Sequence, residues 1–107
     1  MSSEYVIVAT TTDSEEKART LAASVVDAHL GACAQITSPI TSVYRWQGNV
    51  QTDQEWRVEI KTAADRVEAL VEHINGNHSY DLPEVVVTPI IGGSAAYLDW
   101  LGTESRG

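Results

Sequence analysis

Few side chains in this sequence could hold a transition metal: Cys33, His29, His73, His78 and the lone methionine, Met1. Copper favours thiolate, thioether and imidazole ligands, and imidazole alone also suits zinc or nickel. No two of these residues share one helical segment at a spacing of four, and no Cys-x-x-Cys occurs. The spacing therefore builds no high-affinity site within one chain. Each candidate also has a plainer reading. Cys33 starts a strand-like segment, where it reads as a small buried hydrophobe. His29 falls on the apolar side of the first helical segment, where it would pack. His73 precedes the last turn of the second, where a positive charge favours the helix dipole. His78 stands apart, in an irregular polar stretch with Tyr80 and Glu84 near it, and loops on a rigid scaffold are where sites form. His78 and Cys33 are the metal candidates, with acidic surface groups behind them, and any contact is expected to be weak.

Other reactive constellations are missing. No serine sits in a Gly-x-Ser-x-Gly elbow, and Cys33 has no cationic neighbour in sequence to favour its thiolate. No enzyme activity is expected. Gly92-Gly93-Ser94 opens a short final helix whose N-terminus could hold an anion. Such a glycine pair more often just breaks a strand, and neither a Walker A nor a Gly-x-Gly-x-x-Gly motif is present. Charge narrows the partners. The 107 residues carry 15 acidic and 7 basic side chains, a net charge of −8, with Lys17 and Lys61 the only lysines. Nucleic-acid surfaces concentrate Lys and Arg, so no nucleic-acid partner is expected. No apolar run nears the roughly 20 residues that span a bilayer, and no membrane partner is expected. Met-Ser-Ser-Glu carries no signal pattern and a single cysteine forms no internal disulfide, which points to the cytoplasm.

The elements that must position these residues are legible. Residues 5–11 form a β-rich run. Thr12 and Asp13, each with a glutamate three positions on, predict a capping box. Ala18, Leu21, Ala22, Val25 and His29 then recur at helical spacing up to Gly31, a C-terminal stop. Residues 33–46 read as extended, with a bend or bulge at Pro39. Gln47-Gly48-Asn49 predicts a turn into a second strand. There Trp56, Val58 and Ile60 alternate with Glu55, Arg57, Glu59 and Lys61, apolar on one face and charged on the other. Thr62 and Asp65 predict the cap of a second helix, with Val67, Leu70, Val71 and Ile74 along its apolar stripe and Gly76 at its end. Residues 84–91 form a strand apolar on both sides. Ser94 caps a short helix from Ala95 to Leu101. Residues 1–107 make one domain, with 1–4 and 102–107 expected to fray.

This order predicts an α+β protein, a ferredoxin-like split βαβ sandwich with an antiparallel sheet, an extended hairpin between its second and third strands, and a short C-terminal helix. Two helices cover one sheet face, yet Tyr5 to Ala9 and Val85 to Ile91 are apolar on both. Burying each such side chain stabilises by roughly 1.5–3 kcal/mol, and monomers rarely expose a patch of several. Self-association through the second face follows. The alternative is a monomer whose C-terminal helix and hairpin fold over it.

Gly31-Ala32-Cys33-Ala34, Ser42-Val43-Tyr44-Arg45-Trp46-Gln47-Gly48, Glu55 with Lys61-Thr62, His78-Ser79-Tyr80-Asp81-Leu82-Pro83-Glu84 and Tyr97-Leu98-Asp99-Trp100-Leu101 follow one another in the order and spacing of the CutA family. The resemblance covers residues 5 to 101. One departure is Ser79, where the family usually has proline, a change that loosens the loop around His78. The resemblance implies a ferredoxin-like homotrimer with the geometry of PII signalling proteins, linked to tolerance of copper and other divalent metals, with no established catalysis. It also implies that Trp46, Glu55, Lys61, His78, Tyr80 and Glu84 line an intersubunit cleft, either as a ligand or metal site or as a polar network fixing trimer register. The expected function is non-enzymatic, in divalent-metal tolerance or response, with a divalent metal ion such as copper as the one cofactor in view and none obligatory. The alternative is a PII-like trimeric sensor that binds a small anionic ligand in its clefts. Scarce basic residues argue against a nucleotide there.

Overall fold

A computed structural model describes residues 3–107. Strand β1 (Tyr5–Thr12) lies at the centre of the sheet, flanked by β4 (Asn49–Ala63) and β5 (Val86–Ile90), with β2 (Cys33–Ile36) outside β4. All pairs are antiparallel, in the order β2-β4-β1-β5, and this is the ferredoxin-like arrangement. Strand β3 (Ile40–Trp46) pairs with the outer half of β4. The two form an arm that leaves the sheet where Trp56 ends its pairing with β1 and Glu55 begins pairing with β3. The arm closes through Gln47 and Gly48, at φ of 50° and 83°. Two left-handed residues in a two-residue loop match the twist of a hairpin.

Alternation assigns the faces. Val6, Val8, Val58 and Ile60 meet helices α1 (Glu15–Asp27) and α2 (Val67–Gly76), whose Leu21, Val25, Leu70 and Ile74 complete the core. Tyr5, Ile7, Ala9 and Thr11 point to the second face. There α3 (Ala95–Arg106) covers one end, with the Lys61 ammonium 5.9 Å from the Tyr97 ring centroid and Gly102 against the Tyr5 ring. The rest stays open, with Val86 49% exposed on the sheet and Val43 and Val50 66% and 63% exposed on the arm.

The ends of the elements depart from the expected caps. Ser14, not Thr12 or Asp13, caps α1, accepting from the Lys17 amide at 3.1 Å. Thr12 is still in β1, and Asp13 instead pairs with Lys17 at 3.0 Å. At the other end α1 stops at Asp27, and the left-handed residue is His29, at φ 56°. His29 is therefore exposed and not a packing residue. Gly31 serves close approach: a Cβ there would lie 2.5 Å from Ile60 Cγ2. Thr62 caps nothing, because it is buried in β4 and donates to the Leu30 carbonyl at 2.8 Å. A 3-10 turn, Ala64–Arg66, leads into α2.

Ser94 caps α3 as expected, but the helix runs on past Leu101 to Arg106. The supposed loose end is held by tertiary contacts. Leu101 and Ser105 are fully buried, Arg66 Nε donates to the Ser105 carbonyl at 3.0 Å, and Arg106 Nε meets Asp65 at 3.1 Å. At the N-terminus, residues 1 and 2 lie outside the described residues, and the Glu4 carbonyl accepts from Ala64 at 2.7 Å.

Candidate functional site

Glu55 occupies the junction of sheet and arm. Strand alternation sends it to the charged face of β4, which a charged side chain would normally share with water. It is nevertheless only 7% exposed. The cause is the loop between α2 and β5, whose Tyr80 lies over it and donates its hydroxyl to Glu55 Oε2 at 2.8 Å. Burial, then the Glu55 hydrogen bond and charge, push the Tyr80 phenol well above the ordinary tyrosine range. Beside them the Tyr44 hydroxyl bonds Asp53, and that bond is the first cause of an upward shift at Tyr44 as well.

His78 holds the loop in place. Its Nδ1 accepts from the Tyr80 amide at 3.1 Å, and its Nε2 lies 2.7 Å from the Thr11 carbonyl. A carbonyl only accepts and an amide only donates, so the ring is a neutral imidazole with its proton on Nε2. Neither nitrogen keeps a free lone pair for a metal in this geometry. The His78 and Tyr80 rings stack obliquely, with centroids 4.8 Å apart. The loop thus keeps its anchor despite Ser79.

A cleft of about 790 Å³ opens between arm and loop, and Trp46, Glu55, Tyr80 and Glu84 line it with Tyr44 and Asp81. Four of the six expected cleft residues are therefore together. The other two are not among its walls. His78 sits behind Tyr80 and faces a smaller groove of about 430 Å³ beside α1. Lys61 lies six residues from Glu55 along β4, roughly 20 Å at strand rise, and donates to Gln35 at 2.8 Å. Glu84 is shared with Arg57 at 3.8 Å.

Cys33 pairs with Lys61 in the β2–β4 register, while His78 anchors on Thr11, which is opposite Arg57. Four residues of strand and two strand spacings separate the two metal candidates, more than 10 Å by sheet geometry. His73 Nε2 bonds Ser24 at 2.9 Å. Among the described residues no group of three or more His, Cys, Asp or Glu could hold a metal ion. At the start of α3 the Ser94 hydroxyl is spent on its own helix, accepting from the Tyr97 amide.

Tyr44, Asp53 and Asp81 escaped the sequence reading as site residues. The signal for the first two was present. A two-residue Gln47-Gly48 loop puts Trp46 opposite Asn49, so Ser42, Tyr44 and Trp46 share a face with Asp53 and Glu55.

Fold and site together define a small ferredoxin-like module with a partly open second face that mixes apolar residues of β1 and β5 with charged residues of β4, a projecting arm and an acidic aromatic cleft at the base of that arm. Comparison with known proteins gives the family. A family model described as "CutA1 divalent ion tolerance protein" matches residues 6–104, and the chain belongs to that family. It is 46% identical over 101 residues to "Protein CutA, chloroplastic" of Arabidopsis thaliana, covering 94% of this chain and 56% of that protein. The chain thus spans little more than half the length of that plant relative. Among solved structures, the divalent cation tolerance protein of Thermus thermophilus superposes with a TM-score of 0.90 at 42% identity, covering 94% of this chain and 97% of that one. CutA1 of a psychrotrophic Shewanella gives 0.95 at 32% identity over the whole of both chains. The family is named for tolerance of divalent ions and not for a reaction.

Proposed function

We propose that this chain acts in tolerance of divalent metal ions, copper foremost, as a cytoplasmic, non-catalytic homotrimer. The observation that carries the assembly is the apolar surface left open, with Val43, Val50 and Val86 all about half exposed or more. A monomer gains nothing from their exposed parts, whereas copies that cover them for each other gain about half to two-thirds of the roughly 1.5–3 kcal/mol that full burial of such a side chain is worth. Helix α3 covers only one end of the sheet face, and among the described residues β3 has β4 as its one strand partner. Neither element therefore hides the rest.

Direct metal contact on this reading is weak, because each chain offers ligands singly: Cys33 on the sheet edge, His78 once its Tyr80 bond is released, and surface carboxylates. Light scattering coupled to sizing chromatography should give the mass of three chains; a mass of one chain would overturn the assembly. Copper titrated calorimetrically into the wild type, Cys33→Ala and His78→Ala should give a weak saturable heat that one substitution reduces. An unsaturable heat in all three would remove direct binding from the reading.

A second reading, a sensor that holds a small ligand, has its own observation. The cleft at the base of the arm has the volume and mixed apolar and polar lining of small-molecule sites, which span roughly 300–1,000 Å³. A thermal-shift panel of small metabolites tests it, since a ligand bound to the native state raises the melting temperature.

A further inference from the structure

We propose that the cleft beside Glu55 takes a small organic ammonium ion; this rests on the small-ligand reading and fixes the charge of the ligand, opposite to the anion expected from the sequence. Glu55 lines the cleft with one of its oxygens engaged. Its Oε2 accepts from Tyr80, while among the described residues its Oε1 has no protein donor and no Lys or Arg forms an ion pair with it. The residue is 7% exposed, and among the described residues its one side-chain partner is a neutral phenol and its free oxygen has no cation paired to it at the cleft it lines. The rim deepens the deficit. Asp81 has no ion pair among the described residues, Glu84 holds Arg57 loosely at 3.8 Å, and Arg45 is the single cation in the lining.

The walls select the kind of cation. Tyr44 and Trp46 project from the same face of the arm as Glu55, and Tyr80 closes the opposite side. Aromatic faces attract large, weakly hydrated cations such as alkylammonium groups. A hard divalent ion instead seeks six or more oxygens, or an approach to them through several carboxylates. No such ligand group gathers among the described residues. An anion would face Glu55 and Asp81 directly. An ammonium on Glu55 Oε1, with its alkyl part against the aromatic walls, satisfies both halves of the cleft.

Choline serves as the probe, its carbon isostere (the alcohol in which carbon replaces nitrogen) as the uncharged control, and acetate as the anion. Each is titrated calorimetrically into the full chain, with mass and unfolding temperature measured alongside. Choline should bind saturably and about tenfold or more tighter than the isostere, a difference within the range of desolvated cation–π and charge contacts. Glu55→Gln should weaken choline by about tenfold or more with the mass unchanged. Trp46→Leu, which leaves Glu55 intact, should weaken it several-fold, and it decides the matter if Glu55→Gln fails to fold. Equal binding of choline and isostere, or binding of acetate alone, overturns the cationic ligand but keeps a ligand-binding cleft. Choline binding that survives both substitutions places the cation elsewhere and overturns the site. No saturable heat from any probe also overturns this proposal, while the sensor reading stands or falls separately on the metabolite panel.

Discussion

At the residue scale the pair Glu55–Tyr80 concentrates the tension of the molecule. The loop closes a phenol over a carboxylate, and each limits what the other can do. With its phenol raised by burial and by Glu55, Tyr80 keeps its proton in the folded state at pH values where the unfolded chain, at the ordinary value of 10.0, has begun to lose it. The folded state then binds more protons than the unfolded one, so stability is fully present below pH 10.0 and falls as pH rises beyond it. Denaturation midpoints across alkaline pH should show that decline in the wild type and a shallower one in Tyr80→Phe. Glu55→Gln keeps an acceptor for the hydroxyl and removes the charge, so the last phenol to ionise in the folded wild type should ionise earlier in the variant. Phenolate absorbance during an alkaline titration checks it, and an unchanged curve would detach Tyr80 from Glu55. None of this was readable from Glu55 itself. Alternation along β4 assigned it to the polar face, and its burial comes from a loop 25 residues further along the chain. Pairing of that range is decided by tertiary closure, which no local pattern encodes.

Elements were legible where hydrophobic period fixed them and illegible where their ends depended on neighbours. The stripes Leu21–Val25 and Leu70–Ile74 and the alternation Val58–Ile60 all reach the core as the periods require. Caps fared worse, because Thr12 and Thr62 have the right chemistry for an N-cap and are claimed first by strand pairing. Gly31 shows the same limit. Its place after a helix suggests a left-handed stop, yet its service is to let the β2 approach pass Ile60. Gly31→Ala would force a Cβ to within 2.5 Å of Ile60 Cγ2 and 3.1 Å of Val25 Cγ1, both in the fully buried core. Overpacking of this kind costs about 1–3 kcal/mol, and chemical denaturation should show it as a lowered midpoint. His29→Gly, which relieves the left-handed residue, should move the midpoint the other way or leave it unchanged. The C-terminal helix gives a complementary test. Leu101→Ala, at a fully buried position, should cost about 2–5 kcal/mol, whereas a frayed end would register nothing.

For the whole molecule, the decisive quantity is the apolar surface left exposed, and Val86, Val43 and Val50 mark two of its places. Val86 belongs to the sheet face, next to Ala9 in the β1–β5 register, while Val43 and Val50 share one face of the arm. The cleft lies mainly on the other face of that arm, where Tyr44, Trp46 and Glu55 project, with Val43 and Arg45 at its rim. Single substitutions test the two surfaces separately for the proposed assembly. Val86→Asp introduces a charge on the sheet face, and Val43→Asp does so on the arm. If the sheet faces meet around a common axis, Val86→Asp loses about half of the roughly 1.5–3 kcal/mol of a fully buried valine in every copy and adds a carboxylate that has no partner there. Its mass at micromolar concentration should fall toward one chain while far-ultraviolet circular dichroism keeps the α+β signature. Val43→Asp should weaken association to a similar degree only where the arm of one copy lies along another. Should both variants keep the wild-type mass, the open apolar surface would have no part in assembly, and its exposure would need a different occupant.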